Sequence, residues 1–115
     1  MKNELPVEFE IGFAASKILS YSINDGNVSL FLECWNSEVL EINFLYFASL
    51  FAMNYTRIAD FREVFESSLL ERALEELYEK KPKEHLFRVF RFLNSDDITA
   101  FEIVCEDIKV KKISS

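Results

Sequence analysis

The chain has 115 residues, of which 50% are hydrophobic and 29% are charged. This is the composition of a folded domain, and it excludes disordered or collagen-like material. With 13 Lys and Arg against 20 Asp and Glu, the net charge is −7, so a nucleic-acid partner is not expected, since phosphate backbones are bound by basic surfaces. We expect residues 1–115 to form a single acidic domain.

The apolar segments and the cysteines indicate where the chain resides. The most apolar run, residues 44–53, is well short of the roughly 20 residues that a membrane-spanning helix needs. The N-terminal residues lack the apolar stretch of a signal peptide. Cys34 and Cys105 fit two buried thiols in a reducing compartment. These features predict a cytoplasmic protein without a membrane partner.

The first third of the chain has the alternation of β-strands. Apolar and polar residues alternate over residues 7–13, which is typical of a half-buried strand. A second strand carries Leu19, Tyr21 and Ile23, and it ends at Asp25-Gly26, a dipeptide that favours a two-residue type I′ turn.

Strand register follows from the requirement that apolar positions face one another. The turn at Asp25-Gly26 pairs Ile23 with Val28, Tyr21 with Leu30 and Leu19 with Leu32. A three-residue loop over residues 36–38 then pairs Cys34 with Leu40, Leu32 with Ile42 and Leu30 with Phe44. The result is an antiparallel meander with one apolar face.

A helix is predicted in the middle of the chain. Residues 47–58 fit either a short helix or an irregular segment. From Asp60 onward, apolar residues recur every four positions, which predicts an amphipathic helix of about five turns. Asp60 and Glu63 resemble a capping box at its start, and Pro82 ends it.

The last segment predicts another hairpin. A loop at Ser95-Asp96 pairs Phe90 with Phe101, Arg88 with Ile103 and Leu86 with Cys105. The apolar parity then changes near Glu106 and Asp107, which indicates a β-bulge. The predicted fold class is therefore α+β: an antiparallel sheet of about six strands, made of a meander and a C-terminal hairpin, with one long amphipathic helix packed on it.

Catalytic and metal-binding motifs are missing from the sequence. His85 is the only histidine, and its distance from the two cysteines matches no metal-ligand spacing. With two glycines, the chain has neither a phosphate-binding loop nor a nucleophile elbow. We expect no catalytic residues, no metal and no cofactor.

Two groups of residues are candidates for binding a protein partner. Glu71, Glu75 and Glu79 line one face of the predicted helix, either as a solvated surface or as a docking surface for a basic partner. Trp35, with Glu33 nearby, is either covered by other elements or a binding hot spot. The basic residues near the C-terminus, Lys109, Lys111 and Lys112, either protect an edge strand or form a weak nucleic-acid patch.

Two segments resemble a known class of protein. They are the hairpin over residues 24–35 with its continuation over 39–44, and the terminal hairpin over residues 90–109 with its core Glu102-Ile103-Val104-Cys105-Glu106-Asp107. Together they resemble small acidic bacterial toxin-immunity proteins, including the wall-associated-toxin immunity proteins and related uncharacterised domains. This resemblance implies neutralisation of a toxin by tight binding, with no catalytic residues.

The expected function is that of a non-enzymatic binding protein, an immunity-type inhibitor that neutralises a basic toxin domain or other protein partner through an acidic surface. One alternative is a carrier of a small hydrophobic ligand, which requires an enclosed cavity of about 300 Å³ or more. A second alternative is an oligomeric structural or interaction module, such as a homodimer, that associates through Phe31 and Trp35.

Overall fold

The computed structural model of the chain describes residues 4–9, 12–54, 57–80, 82 and 84–113. Over these residues it contains ten strands and one helix. In chain order they are β1 (Glu4–Pro6), β2 (Ser16–Asn24), β3 (Asn27–Glu33), β4 (Val39–Leu45), β5 (Ser49–Ala52), β6 (Arg57–Ile58), β7 (Asp60–Val64), α1 (Ser68–Leu77), β8 (Arg88–Leu93), β9 (Thr99–Cys105) and β10 (Asp107–Lys112). No helix in these ranges is long and apolar enough to span a bilayer.

The strands form two antiparallel sheets of five strands each. Sheet I has the order β1-β7-β8-β9-β5, and sheet II has the order β10-β4-β3-β2-β6. The α+β class with antiparallel strands is confirmed, whereas the single sheet of about six strands is wrong. Strand patterning reveals which residues face a core, but it does not reveal which sheet a strand joins.

Phenylalanine rings fill the space between the two sheets. Phe61 and Phe92 of sheet I stack with ring centroids 4.0 Å apart. Phe44 of sheet II reaches across to the rings of Phe61, Phe90 and Phe101, at centroid distances of 6.4, 6.3 and 5.9 Å. All five rings are buried, so the centre of the domain is a packed aromatic layer.

A second, smaller core lies between sheet I and α1. Leu70 and Leu74 of the helix pack with Val64, Val89 and Val104 of the sheet. The part of sheet I beneath α1 is thus covered on both faces, and β9 is buried at every position from Ala100 to Cys105.

A guanidinium links the two sheets where the chain passes from one to the other. Arg88 of β8 donates to both carboxylate oxygens of Glu63 on β7, each at 2.9 Å. Its third hydrogen bond, also 2.9 Å, reaches Asp107 of β10 in sheet II. The change in apolar parity near Glu106, from which a β-bulge was predicted, instead marks the point where the chain passes from sheet I to sheet II. It does so because β9 belongs to sheet I and β10 belongs to sheet II.

The long helix predicted from Asp60 is wrong in its first half. Asp60–Val64 forms β7, and α1 begins at Ser68 after the N-cap residue Ser67. The apolar spacing was misleading because β7 has one buried apolar residue on each face, Phe61 in the main core and Val64 under α1. A strand buried on both sides loses the period-two signal.

The end of the helix also differs from the prediction. The helix stops at Leu77, well before Pro82, and Tyr78 is an extended C-cap residue whose N–H donates to the carbonyl of Leu74. Glu79 therefore lies outside the helix and does not continue the face of Glu71 and Glu75.

The N-terminal strand predicted over residues 7–13 is also wrong, since β1 covers only Glu4–Pro6. Glu10 and Ile11 lie outside the described residues. The apolar positions nevertheless contribute to the core: Phe13 is buried with its ring edge-on to Phe61, and Val7 and Phe9 pack against the same cluster.

The meander is present, with shifts at two places. Ile23 pairs with Val28 and Tyr21 with Leu30, as predicted, but Leu32 pairs with Ile18 because a bulge displaces Leu19. In the next hairpin the loop has three residues, as predicted, but it is Trp35–Ser37, closed by the Cys34 N–H donating to the carbonyl of Glu38. The predicted pairs therefore slip by two residues, and Leu32 faces Leu40, Leu30 faces Ile42 and Val28 faces Phe44.

The terminal hairpin slips in the same way. Its loop is longer than Ser95-Asp96, with the Asn94 N–H donating to the carbonyl of Ile98. As a result Phe92 faces Phe101, Phe90 faces Ile103 and Arg88 faces Cys105. In residues 47–58, predicted as helix or irregular, the described residues form β5 and β6.

The aromatic layer should dominate the stability of the fold. We expect Phe61→Ala to lower the free energy of unfolding by ~3–5 kcal/mol, because it opens a cavity in the packed layer. Phe65→Ala is the matched control, since Phe65 is 50% exposed and Phe61 is 1% exposed. Its effect should stay within about 0.5 kcal/mol. Equal losses for both variants in urea unfolding would contradict the assignment of Phe61 to the core.

Candidate functional site

The start of α1 is fixed to sheet I by a buried polar network. The Ser67 hydroxyl accepts a hydrogen bond from the Leu70 N–H at 3.2 Å, as an N-cap does, and donates to Glu102 of β9. The other carboxylate oxygen of Glu102 accepts from Arg91 Nε at 2.6 Å. Both oxygens of this buried carboxylate are thus occupied, and the network determines which side of α1 faces the sheet.

The solvent side of α1 is acidic and becomes more so towards its end. Glu75 and Glu76 are exposed and Glu71 is half-buried. Beyond the helix, Glu79 is also exposed. Two large apolar side chains lie among these acids, Leu77 at 55% and Tyr78 at 42% exposure. We call residues 75–79 the acidic end of α1.

The negative charges at the acidic end destabilise the helix that carries them. The carbonyl end of a helix is negative, and an acid placed there is unfavourable by about 0.3–1 kcal/mol. The last turn contains no basic residue, and Glu71 and Glu75 are like charges at a spacing of four. Arg72, one turn before Glu76, offsets part of this.

Trp35 and Glu33 lie on a different part of the molecule. Trp35 is at the tip of the β3–β4 turn and is 66% exposed, and Glu33 is half-buried at the end of β3. Both belong to sheet II, whereas α1 packs on β5 and β9 of sheet I. The structure therefore does not bring the two groups of predicted partner-binding residues together.

Sequence reasoning missed a charged groove on the outer face of sheet I. The groove has a volume of about 540 Å³, and its lining includes Asp60, Arg62, Arg91 and Asp97. It was overlooked because Asp60 and Arg62 were assigned to a helix, whereas β7 places them beside Arg91 of β8. The outward positions of three adjacent strands would have revealed it.

Three acids, Glu4, Asp60 and Asp97, and two arginines line the groove. The hydrogen bond from Arg62 to Asp60 raises the pKa of the Arg62 guanidinium, and Arg91 is bound to Glu102.

Among the described residues, no set of three or more His, Cys, Asp or Glu side chains is placed to hold a metal ion. His85 is half-buried, and its Nδ1 accepts the backbone N–H of Phe87 at 3.1 Å.

The two cysteines are buried thiols. Burial raises the pKa of Cys105 to about 12 and also raises the pKa of Cys34. Both thiols are therefore protonated, and so weakly nucleophilic, at neutral pH.

Comparison with known proteins returns no match for this chain among family models, curated proteins or solved structures.

The buried carboxylate should matter for stability in a way that exposed acids do not. We expect Glu102→Gln to lower the free energy of unfolding by ~1–3 kcal/mol, because Arg91 and the Ser67 hydroxyl lose a charged acceptor. Glu75→Gln is the control, since Glu75 is exposed, and it should change stability by less than about 0.5 kcal/mol. Identical denaturation midpoints for the two variants would show that the network does not fix α1.

The thiols should be unreactive in the folded protein. At pH 8 we expect Ellman's reagent to label neither cysteine until guanidinium unfolds the chain, after which both react. Because the folded-state pKa of Cys105 is raised, the stability that it contributes is complete below its unfolded pKa of ~8.5 and is lost as the pH rises towards 12. Rapid labelling of the native protein at pH 8 would contradict the burial of these side chains.

Proposed function

We propose that the chain is a non-enzymatic binding protein that neutralises a basic protein partner, in the manner of toxin-immunity proteins, through the acidic end of α1. The observation that carries this proposal is the combination found there: exposed acids that destabilise their own helix, beside two exposed apolar side chains. Such a surface is better satisfied in a complex than in the free protein.

The two kinds of side chain would have separate roles in the complex. Glu75, Glu76 and Glu79 attract a basic partner over a distance and accelerate the encounter, since the whole chain carries a charge of −7. Leu77 and Tyr78 supply apolar area that is desolvated on contact, and tyrosine is among the residues enriched in interface hot spots. Electrostatics would set the on-rate, and these two residues would set the lifetime.

The remaining predicted residues occupy secondary places in this proposal. Glu71, half-buried on α1, borders the acidic end. Trp35 and Glu33 stay predictions as partner contacts, and a partner centred on α1 would reach them only by extending around the domain. The buried free thiols fit the reducing conditions of the cytoplasm, where we place the protein.

The packing of the interior favours a binding protein over a hydrophobic-ligand carrier. Packed phenylalanine rings occupy the space between the sheets, and the charged groove described above opens on the surface. A carrier would need its volume enclosed and apolar.

Charge reversal provides the test. The full chain is immobilised and used to retain proteins from lysate of the cells that produce it, followed by elution with salt. We expect a basic partner that elutes as the ionic strength rises from ~0.05 to ~0.5 M. A Glu75→Lys and Glu76→Lys double variant should bind that partner at least ~10-fold more weakly.

The control for this test has the same net charge. A Glu8→Lys and Asp96→Lys double variant changes two exposed acids away from α1 and should keep most of the affinity. Equal weakening by both double variants would mean that only overall charge matters. Retention of the partner that does not change with salt concentration would refute the electrostatic role of the acidic end.

A further inference from the structure

The four edges of the two sheets are not protected equally against pairing with another chain. In sheet I, β1 has three residues and ends in Pro6, and β5 has four residues. In sheet II, the β10 edge carries Lys109, Lys111 and Lys112. Short strands, proline and lysine are the usual means of blocking strand addition.

The opposite edge of sheet II has almost none of this protection. Over the described ranges, β6 pairs with β2 only at Ser16 and Lys17, so residues 18–24 have no described partner strand on this edge. This stretch contains neither a charged residue nor a proline. Its one irregularity is the bulge at Leu19. Alternate residues of an edge strand direct their N–H and C=O groups away from the sheet, where they can accept another strand.

The open edge of β2 is also apolar. Leu19, Tyr21 and Ile23 are between 42% and 58% exposed, although Tyr21 and Ile23 face the completely buried Leu30 and Val28 in the register. Beside them lies a groove of about 290 Å³, which β2 lines together with Met53 and Phe101. The ring of Tyr21 is held edge-on to that of Phe101, with centroids 5.3 Å apart. The edge therefore offers an ordered apolar surface.

Charges of opposite sign lie at the two ends of this edge. Lys17 and Arg57 are directly opposite each other at one end, and like charges in that position repel. Glu33, on the other side of Lys17, balances one of the two. At the far end, Asp25 projects from the tip of the β2–β3 turn. An antiparallel two-fold arrangement exchanges the ends. Because Arg57 occupies the edge position opposite Lys17, Asp25 of each copy approaches the cationic end of the other beside Arg57.

We propose that the edge of β2 pairs in antiparallel fashion with the same edge of a second copy of the chain. The two-fold axis of this dimer passes at either Tyr21 or Ser22. An axis at Tyr21 places Leu19 opposite Ile23, and an axis at Ser22 places Tyr21 opposite Ile23. The first register matches apolar with apolar over residues 19–23, and the second matches Tyr21 with Ile23 but sets Leu19 opposite Asp25. In both, the paired stretch of residues 18–24 contains no like charges in a molecule that is otherwise strongly acidic. The inference does not rest on the proposed function, because α1 lies on sheet I.

Sedimentation over a range of concentrations tests the pairing. We expect the full chain to form dimers, and Ile23→Lys to raise the dimer dissociation constant at least ~10-fold, because it introduces a charge opposite an apolar residue. Leu5→Lys is the matched control, since it also replaces an exposed apolar residue by lysine, but on the edge strand β1. It should leave the dimer unchanged. A chain that stays monomeric at every concentration, or a dimer broken by Leu5→Lys instead, overturns the proposal.

A charge exchange tests the two-fold geometry and does not depend on whether one variant folds less well. Lys17→Glu and Asp25→Lys should each weaken self-association roughly 3-fold or more at low salt, since each sets like charges together at both ends. An equimolar mixture of the two variants should form a heterodimer about as tight as the parent dimer, because opposite charges then face each other. A mixture that associates no better than its components would rule out this arrangement.

Discussion

The structure depends on the part of sheet I around β9 being covered on both faces. One face meets sheet II through a layer of phenylalanine rings, and the other meets α1 through Leu70 and Leu74. Covering this part of the sheet on both faces creates the interior of a chain of 115 residues, in which six of the 12 phenylalanines are buried. It also directs function to the surface.

The network at the start of α1 connects this packing to the proposed binding surface. Ser67 caps the helix and, through Glu102, is linked to Arg91 of β8. The apolar side of α1 is thereby held against sheet I, and the acidic residues of α1 are turned to solvent. The unfavourable charges at the end of the helix are tolerated because tertiary packing supplies most of the stability of a short helix. The open edge of β2 lies on the other sheet, so self-association and partner binding would not compete for the same residues.

The sequence predicted those parts of the fold in which one face of a strand is buried. The Asp25-Gly26 turn and the pairs of Ile23 with Val28 and Tyr21 with Leu30 followed from period-two alternation. The same rule was insufficient for hairpin loops, since a slip by two residues at Trp35 or at Ser95 still matches apolar with apolar. It failed for β7, where Phe61 and Val64 are buried on opposite faces of the strand. Nothing local marks Glu106 as the passage between sheets, because that assignment depends on long-range pairing.

The candidate site was predictable only in part, for the same reasons. Glu71 and Glu75 were correctly placed on a helix, but the helix end at Leu77 could not be located, so the exposure of Leu77 and Tyr78 was missed. The charged groove was missed because it needs β7 as a strand. The open edge of β2 required knowledge of strand order, which no spacing within one segment provides.

Hydrogen exchange of the backbone amides tests most directly whether sheet I is the doubly covered centre of the domain. The account predicts that amides of β8 and β9 exchange only on global unfolding, whereas those at the end of α1 exchange through local opening. If β9 exchanged as fast as the end of α1, sheet I would not be covered on both faces, and the placement of α1 would be wrong.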